Sequence, residues 1–249
     1  MQLIIRHKTE PELVLPINYH HILQAIIYKG MDEMPEHAKQ MHDYGYHNGK
    51  RSYKLFQFSQ LQGKYKIEQR RIIFYEDVCF EIRSVDARLI LALKQNFETN
   101  GICYGERKFE DIQVIVKDET VDEEDILIKM KTPVTVHFTD RFSRKTFFPR
   151  PDERRFMELI NENFKRKYNA YSGVFPEENI KIETMRFSER DKYVTKYKGF
   201  YISGWYGIYR LQGKRKYLDF LYQAGLGDRN SQGFGMFDLI GGGTNDRIS

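Results

Sequence analysis

The sequence is poor in the residues that cross-link or anchor a chain. It contains two cysteines in 249 residues, and neither Cys79 nor Cys103 belongs to a Cys-x-x-Cys or zinc-type spacing. No apolar stretch is long enough to cross a bilayer, and the N-terminus alternates apolar with charged residues instead of forming a signal peptide's apolar core. These absences argue against disulfide-stabilised and membrane-spanning proteins, and they predict a soluble protein of the reducing cytoplasm.

Common nucleotide-binding and metal-binding motifs are also missing. There is no Gly-Lys-Ser/Thr of a P-loop, and Asn230 stands where a dinucleotide-binding fingerprint needs its third glycine. No His-Glu-x-x-His occurs, and His37, His42 and His47 recur every five residues, which does not align them on one helical face. His42-Asp43 resembles histidine-aspartate phosphohydrolases only superficially, because their further metal-binding positions are not apparent. We therefore expect no metal ion and no cofactor.

Charge is distributed unevenly along the chain. The formal net charge is +5, but residues 1–125 carry 17 basic against 21 acidic residues and residues 126–249 carry 23 against 14. Aromatic residues interleave with basic ones in the second half, as in Arg141-Phe-Ser-Arg-Lys-Thr-Phe-Phe and Lys192-Tyr-Val-Thr-Lys-Tyr-Lys. This mixture lets single-stranded bases stack while phosphates are neutralised. A solvated charged surface is the alternative interpretation.

Hydrophobic periodicity predicts two units with a similar rhythm of strands and helices. The first unit has strand 2–8, helix 18–30, strand 54–59, a hairpin of 72–75 and 78–82, helix 84–97 and strand 109–116. An acidic run, residues 118–125, then predicts an exposed connection, so we divide the chain into domains 1–122 and 123–249. The second unit has strands 126–131 and 134–139, a helix beginning near Pro151, strands 180–188 and 199–211, helix 214–224 and strand 236–240. Each unit is predicted as βαββαβ, an α+β fold.

A glycine-rich segment lies near the C-terminus. Its sequence is Gly225-Leu-Gly-Asp-Arg-Asn-Ser-Gln-Gly-Phe-Gly-Met, and glycines of this kind allow backbone N–H groups to approach phosphates. The segment resembles the C-terminal signature of the Cas6 family of CRISPR RNA-processing endoribonucleases, within the repeat-associated mysterious protein superfamily. Leu23–Tyr28, Met41-His42-Asp43 and Tyr53–Ser59 are similar to the N-terminal pattern of that family. The resemblance implies tandem ferredoxin-like, RRM-like domains.

The resemblance also implies a mechanism without a metal ion. RNA cleaves itself when its 2′-OH is deprotonated and aligned with the adjacent phosphorus, and the departing 5′-oxygen is protonated. By resemblance, His42 is the general acid or base, Tyr28 orients the nucleophile and Lys54 stabilises the developing charge. His47 is the alternative to His42, because it lies in the same Gly/Asn-containing segment. Each residue also has a structural interpretation, with Tyr28 in the core, Lys54 solvated at a strand end and His42 capping a helical turn.

The RNA-binding surface is predicted from the glycine-rich segment and the basic residues of the second half. The predicted contacts are Arg144, Lys145, Lys214, Arg215, Gly225, Gly227, Arg229, Asn230, Ser231, Gly233 and Gly235. The partner that the resemblance implies is CRISPR repeat RNA, both as precursor and as mature guide RNA. A non-catalytic repeat-binding subunit of an effector complex and a generic single-strand RNA-binding module remain alternatives. Monomer and homodimer are both open, and no membrane partner is expected.

Overall fold

The computed structural model describes residues 1–32, 45–197 and 199–241. This part of the chain contains four α-helices, α1 (His20–Asp32), α2 (Ala87–Asn100), α3 (Arg154–Ser172) and α4 (Arg215–Ala224). In the described ranges no helix has the length and apolarity needed to span a membrane.

Within the described residues, eleven strands belong to the first half of the chain. They are β1 (Gln2–His7), β2 (Leu13–Pro16), β3 (Tyr46–Asn48), β4 (Arg51–Tyr53), β5 (Phe56–Phe58), β6 (Tyr65–Glu68), β7 (Arg71–Phe74), β8 (Val78–Ser84), β9 (Ile102–Tyr104), β10 (Arg107–Phe109) and β11 (Ile112–Lys117). The second half contributes β12 (Asp125–Met130), β13 (Phe138–Thr139), β14 (Thr146–Phe147), β15 (Lys181–Arg186), β16 (Lys192–Tyr197), β17 (Phe200–Trp205), β18 (Ile208–Gln212) and β19 (Phe237–Ile240).

The first unit is built on an antiparallel sheet of order β11-β1-β8-β5. Strand β1 alternates, so that Leu3 and Ile5 are fully buried and pair in register with Ile82 and Phe80 of β8. Helices α1 and α2 cover this face with their apolar stripes, and Asp86 caps α2 by accepting a hydrogen bond from the backbone N–H of Arg88. The order of elements β1-α1-β5-β8-α2-β11 is that of a ferredoxin-like fold.

The second unit repeats this arrangement with the sheet order β15-β18-β12-β19. Helix α3 buries Phe156, Ile160 and Phe164 at helical spacing and ends at Gly173, whose φ of +79° is left-handed. Helix α4 returns beneath the same sheet and buries Leu218 and Leu221. The chain is therefore an α+β protein of two ferredoxin-like units in tandem, as the sequence predicts.

Several element predictions were wrong in their pairing or bounds. Strands β7 and β8 do not pair with each other, because β7 pairs with β2 and β6 in a separate three-stranded sheet. The strand predicted over 199–211 is broken at Gly207 into β17 and β18, which belong to different sheets. A Cβ at Gly207 would lie 2.8 Å from the carbonyl oxygen of Arg186. Helix α3 begins at Arg154 instead of Pro151, because the N–H of Glu153 donates to Arg150 in a turn of its own.

Residues 134–139 form a loop rather than the predicted strand, apart from the two residues of β13. Val134 makes an isolated bridge to Trp205, while the carbonyl oxygen of Thr135 accepts a hydrogen bond from the N–H of Asp228 (2.7 Å). The backbone of this loop thus bonds to the glycine-rich segment instead of to a neighbouring strand.

The acidic connection between the units is exposed, as the charge run predicted, except at Val121. Val121 is buried in the core of the second unit, and its N–H donates a hydrogen bond to the Asp219 carboxylate (3.0 Å). The hydroxyl of Tyr222 donates to Glu119 (3.0 Å). The connection is therefore fastened to α4, and we propose the domain boundary within residues 118–124.

A buried ionic network joins the two units. The Arg83 guanidinium of β8 is in ionic contact with Glu81 on its own strand and also donates to the carbonyl of Phe237 (2.6 Å) and the carboxylate of Asp238 (2.9 Å) on β19. Lys131 adds a second cation 2.6 Å from Glu81. Because paired charges that are removed from water demand specific geometry, this network fixes the orientation of one sheet against the other.

Candidate functional site

The glycine-rich loop spans residues 225–236 and connects α4 to β19. Four of its glycines have positive φ angles, and so does Arg229, which has a φ of 60°. A short 3₁₀ turn, Asn230–Gln232, lies at the middle of the loop. The loop is therefore a compact, fixed structure and not a flexible linker.

Lys167 of α3 holds the loop from inside. Its ammonium donates hydrogen bonds to the carbonyl oxygens of Gly225 (2.6 Å) and Gly227 (3.2 Å) and to Oδ1 of Asn230 (2.9 Å). These three acceptors use all three donors of a protonated lysine. Complete burial lowers the pKa of Lys167 to about 7, with a smaller opposing effect from the Asp228 carboxylate.

Asn230 completes this internal network. Its amide nitrogen donates to the carbonyl oxygens of Leu226 (3.1 Å) and Phe234 (3.0 Å), while its oxygen accepts from Lys167. The side chain is buried, so the amide that the sequence assigned to RNA contact bonds within the loop. Asn230 therefore stabilises the shape of the loop from its buried side.

Gly233 lies where the loop meets the first unit. A Cβ at this position would stand 2.8 Å from Cδ2 of His20 on α1 and 3.0 Å from the ring of Phe58 on β5. Burial lowers the pKa of His20 to about 4, so this imidazole is neutral at physiological pH. The glycine is therefore required by close packing between the units.

Two glutamines of the first unit bond to the backbone near the same loop. Nε2 of Gln24 on α1 donates to the carbonyl of Ser231 (2.6 Å), and Nε2 of Gln57 on β5 donates to the carbonyl of Tyr222 (2.7 Å). Because these donors come from two different elements, the loop, α1 and β5 form one rigid junction.

A cavity of about 240 Å³ opens at this junction. It is lined by Ser52, Tyr53, Lys54, Leu55, Phe56, His137, Asn163, Lys167, Ala224, Asp228, Arg229, Asn230 and Ser231. The lining comes from both units and contains three basic side chains and one carboxylate. Such a cavity suits an anionic ligand with hydrogen-bonding groups.

The two units contribute different polar groups to the cavity lining. Lys54 follows β4 on the wall of the first unit, and His137 precedes β13 on the wall of the second. Nδ1 of His137 lies 3.0 Å from Oδ2 of Asp228, although the N–H direction of the ring is not aligned with that oxygen. Asn163 donates to the other carboxylate oxygen of Asp228 (2.5 Å), which fixes the acid in place.

The residues of the predicted catalytic cluster have different positions. Lys54 lines the same cavity as Ser231 and Arg229 of the glycine-rich loop. Tyr28 is half-buried on α1 and packs edge-on against Phe56, another residue of the cavity wall, with ring centroids 5.9 Å apart. His42 lies outside the described residues.

His47, the alternative to His42, belongs to β3 and is exposed. The β3–β4 hairpin packs on α3, where Asn48 donates to Asn169 (2.5 Å) and Tyr46 contacts the ring of Tyr171. The segment from residue 46 to residue 53 is therefore a hairpin that packs against the second unit.

Arg229 lines the cavity, and the other four predicted basic RNA contacts fall in two further places. Arg144 and Lys145 are exposed at the tip of the β13–β14 hairpin, whose base carries His137 and Phe148 with ring centroids 5.8 Å apart. Lys214 and Arg215 stand at the start of α4, and Lys214 is ion-paired with Glu177. Since the loop begins at the other end of this ten-residue helix, about 15 Å of helix separates them from it.

Sequence analysis missed three residues of the junction, Lys167, His137 and Asp228. Lys167 follows Ile160 by seven residues and Phe164 by three, so a helical projection of α3 would have placed a lysine on the buried face. Asp228 was part of the recognised motif but had no assigned role. His137 stands alone in an apolar segment and gives no comparable signal. Among the described residues, no three histidine, cysteine or acidic side chains converge as a metal site would require.

Comparison with known proteins identifies the family. Residues 104–239 match the family described as CRISPR associated protein Cas6, C-terminal. The chain is 23% identical over 249 residues to CRISPR-associated endoribonuclease Cas6 1 of Methanocaldococcus jannaschii, covering 95% of this chain and 91% of the relative. It is 23% identical over 241 residues to CRISPR-associated endoribonuclease Cas6 of Pyrococcus furiosus, covering 92% and 85%.

Solved structures show the same fold. A Cas6-related protein from Pyrococcus furiosus superimposes with a TM-score of 0.75 at 20% identity, over 98% of this chain and 99% of that one. A structure titled as an RAMP protein binding different RNA substrates gives a TM-score of 0.75 at 22% identity, over 96% and 99%. The family match covers more than half of the chain and includes the whole glycine-rich loop. The chain belongs to the Cas6 family.

Proposed function

We propose that this protein is a metal-independent endoribonuclease that cleaves CRISPR precursor RNA within its repeats and releases mature guide RNAs. The observation that carries the proposal is a cavity lined both by Lys54 of the first unit and by Arg229 and Ser231 of the glycine-rich loop. The names of the curated relatives, both CRISPR-associated endoribonucleases, support the same reaction class.

The proposed reaction is an internal displacement on the RNA itself. The 2′-oxygen attacks the adjacent phosphorus, the bond to the 5′-oxygen breaks, and the products carry a 2′,3′-cyclic phosphate and a 5′-OH. His42 transfers a proton, Tyr28 orients the nucleophile and Lys54 stabilises the negative charge that builds up on the phosphate oxygens. The position of Lys54 in a cavity that Arg229 also lines supports its role.

The RNA-binding surface would extend from the cavity along the β13–β14 hairpin. Arg144 and Lys145 at its tip neutralise phosphates, and Phe142, which is 97% exposed, offers a ring on which a base can stack. The outer edge of the glycine-rich loop backbone would face the same RNA strand. Asn230 and Lys167 act by holding that edge in shape.

A non-catalytic repeat-binding subunit of an effector complex is the second candidate. The same basic and aromatic surface would serve it, and the structure titled as an RAMP protein that binds different RNA substrates shares the fold. The two candidates differ in one requirement, because a protein that only binds does not need His42.

The deciding experiment incubates the purified protein with its repeat RNA in excess EDTA and identifies the product ends by mass spectrometry. Cleavage at one position, with cyclic phosphate and 5′-OH ends, supports the proposed endoribonuclease. RNA that is bound but intact favours the binding subunit, and equal affinity for a shuffled sequence favours a generic single-strand binder.

A further inference from the structure

One side chain in the cavity at the junction does not suit a phosphate ligand. Asp228 lines the cavity together with Lys54 and Arg229, and its side chain is 22% exposed. An ionised phosphate accepts hydrogen bonds and donates none, so it cannot bond to a carboxylate, and the two negative charges repel each other. A nucleotide in this cavity would therefore place its phosphate on a basic side chain and a different group against Asp228.

The neighbouring basic residues do not occupy Asp228 as an internal partner. Lys167 directs its ammonium to three oxygens of the glycine-rich loop, which uses its three donors. Nδ1 of His137 lies 3.0 Å from Oδ2 of Asp228, but the N–H direction of the ring is not aligned with that oxygen and no hydrogen bond forms. In the described part of the chain, Oδ2 of Asp228 thus receives no hydrogen bond.

The other carboxylate oxygen and the backbone of Asp228 are both fixed. Oδ1 accepts a hydrogen bond from Nδ2 of Asn163 (2.5 Å), and the Asp228 backbone N–H donates to the carbonyl of Thr135 (2.7 Å). Because these bonds hold the residue from two directions, Oδ2 has a defined position in the cavity lining. Asp228 therefore offers one positioned acceptor to the N–H group of a ligand.

Nucleobases carry the donor that this acceptor requires. Cytosine and adenine each have an exocyclic amino group on the Watson–Crick edge, and single-stranded RNA is recognised through that edge and by stacking on aromatic rings. Tyr53 lines the same cavity and carries such a ring. The volume of about 240 Å³ lies below that of pockets for drug-sized ligands, about 300–1,000 Å³, and suits a single base.

We propose that this cavity is a base-recognition pocket for one unpaired nucleotide of the bound RNA. Oδ2 of Asp228 accepts a hydrogen bond from the amino group of cytosine or adenine, and Arg229 binds the phosphate of the same nucleotide. Uracil and inosine carry a carbonyl oxygen where cytosine and adenine carry the amino group, so Asp228 disfavours them. The inference rests on the proposed function for RNA as the ligand, but not on which residues perform the cleavage.

Asn163 determines the effect of the substitution Asp228→Asn. Its Nδ2 donates a hydrogen bond and so requires an oxygen at the position of Oδ1. The introduced amide would therefore turn its oxygen toward Asn163 and its nitrogen toward the position of Oδ2. This changes an acceptor of the cavity into a donor at nearly constant side-chain size. The variant should prefer carbonyl bases to amino bases, a reversal that a general structural defect would not produce.

The first measurement locates the base that the pocket reads. Repeat RNAs with one abasic nucleotide each, and with a 2′-deoxy nucleotide at the cleavage position to prevent attack, are titrated with the wild type and with Asp228→Asn. At one position the loss of the base should weaken wild-type binding about tenfold to hundredfold, the range for one hydrogen bond to a charged group. The same loss should weaken binding by Asp228→Asn less than about threefold.

Asp125→Asn is the matched control for this measurement. It removes an exposed carboxylate of β12 that does not line the cavity. Its affinities for the whole series of abasic RNAs should therefore equal those of the wild type.

The second measurement compares bases of nearly equal size at the position so located. The wild type should bind RNA with cytosine about tenfold to hundredfold more tightly than RNA with uracil, and adenine should exceed inosine in the same way. Asp228→Asn should show the opposite order. Reversal of the preference, or its loss in this variant alone, supports Asp228 as the residue that reads the base.

Three results would overturn the base-recognition pocket. These are an abasic series that never weakens wild-type binding, an equal loss in the wild type and in Asp228→Asn, or a preference for amino bases that Asp228→Asn retains. If the wild type cleaves repeat RNA while one of these results is found, the proposed endoribonuclease survives and only the pocket fails. If the wild type shows the expected base preference but cleaves no RNA, the pocket stands and the endoribonuclease fails.

Discussion

Nζ of Lys167 lies 2.9 Å from Oδ1 of Asn230, and this hydrogen bond joins the longest helix of the second unit to the centre of the glycine-rich loop. The same ammonium also bonds to the carbonyl oxygens of Gly225 and Gly227. A single buried side chain therefore sets the shape of the loop that forms one wall of the cavity.

The stability of the protein should depend on pH through Lys167. Burial lowers its pKa from the ordinary 10.5 to about 7, so between these values the unfolded chain binds a proton that the folded chain has lost. Because the unfolded state then binds more protons, the contribution of this group to the free energy of unfolding rises as pH increases from about 7.

Urea unfolding of the wild type and of Lys167→Met at several pH values measures this contribution. The difference in free energy of unfolding, wild type minus variant, should increase between pH 7 and pH 10. The subtraction cancels the contributions of the other titrating groups, because they are common to both proteins. A difference that is constant or decreases over this range would contradict the burial of Lys167 as described.

Gly233→Ala should destabilise the junction between the units. The substitution places a Cβ 2.8 Å from His20 and imposes a φ of +84° on a residue with a side chain. We expect a loss of about 2–4 kcal/mol, which combines backbone strain with overpacking. Gly173→Ala is the matched control, because its φ is +79° but nothing lies within 4 Å of the added Cβ.

Thermal or urea unfolding of both variants tests the packing interpretation. Gly173→Ala should cost about 1–2 kcal/mol from strain alone. If the two substitutions cost the same, contact with α1 and β5 is not what requires glycine at position 233, and presentation of the backbone to RNA becomes the better explanation.

Neutralising the tip of the β13–β14 hairpin should weaken RNA binding without affecting the fold. The double variant Arg144→Ala/Lys145→Ala removes two exposed cations, so the slope of log affinity against log salt should become shallower by up to about 1.4. Lys64→Ala/Lys66→Ala provides the control, because these exposed lysines of the β6 region already pair with glutamates. An unchanged slope in the first variant would remove this hairpin from the binding surface.

Removal of Lys214 and Arg215 tests in the same way whether these two residues bind RNA phosphates. Sequence proximity grouped them with the glycine-rich loop, but α4 separates them from it and Lys214 already pairs with Glu177. If their removal alters the salt dependence as strongly as removal of Arg144 and Lys145, the RNA must follow α4 along its whole length.

Local patterns predicted the elements whose stability is local. Strand β1 was evident from the alternation of Leu3 and Ile5 with charged residues, because that period reflects burial of one face. The helix α3 was indicated by Pro151 and the two acidic residues that follow it, which favour a helix start. The pairing of β7 was not predictable in this way. Its partners β2 and β6 are chosen by side-chain packing across distant segments, and adjacency to β8 was a poor guide.

The candidate site likewise contains residues that a local motif indicates and residues that only the tertiary fold brings together. The glycine-rich loop and Lys54 were predicted as site residues because each lies in a motif that is continuous in sequence, and both line one cavity. His137 and Asp228 are 91 positions apart and meet only through the tertiary fold, since the backbone of Thr135 bonds to that of Asp228. No period or spacing in the sequence reports such a contact.

The central claim is that this protein cleaves repeat RNA by proton transfer from side chains and without a metal ion. The most direct measurement is the single-turnover cleavage rate of the wild type, His42→Ala and His47→Ala with saturating protein in excess EDTA. We expect full activity in the wild type and in His47→Ala, whose imidazole is exposed on β3. His42→Ala should be slower by about a hundredfold to ten-thousandfold with little change in affinity. Loss of wild-type cleavage in EDTA that returns with Mg²⁺, or wild-type rates in both histidine variants, would contradict the claim.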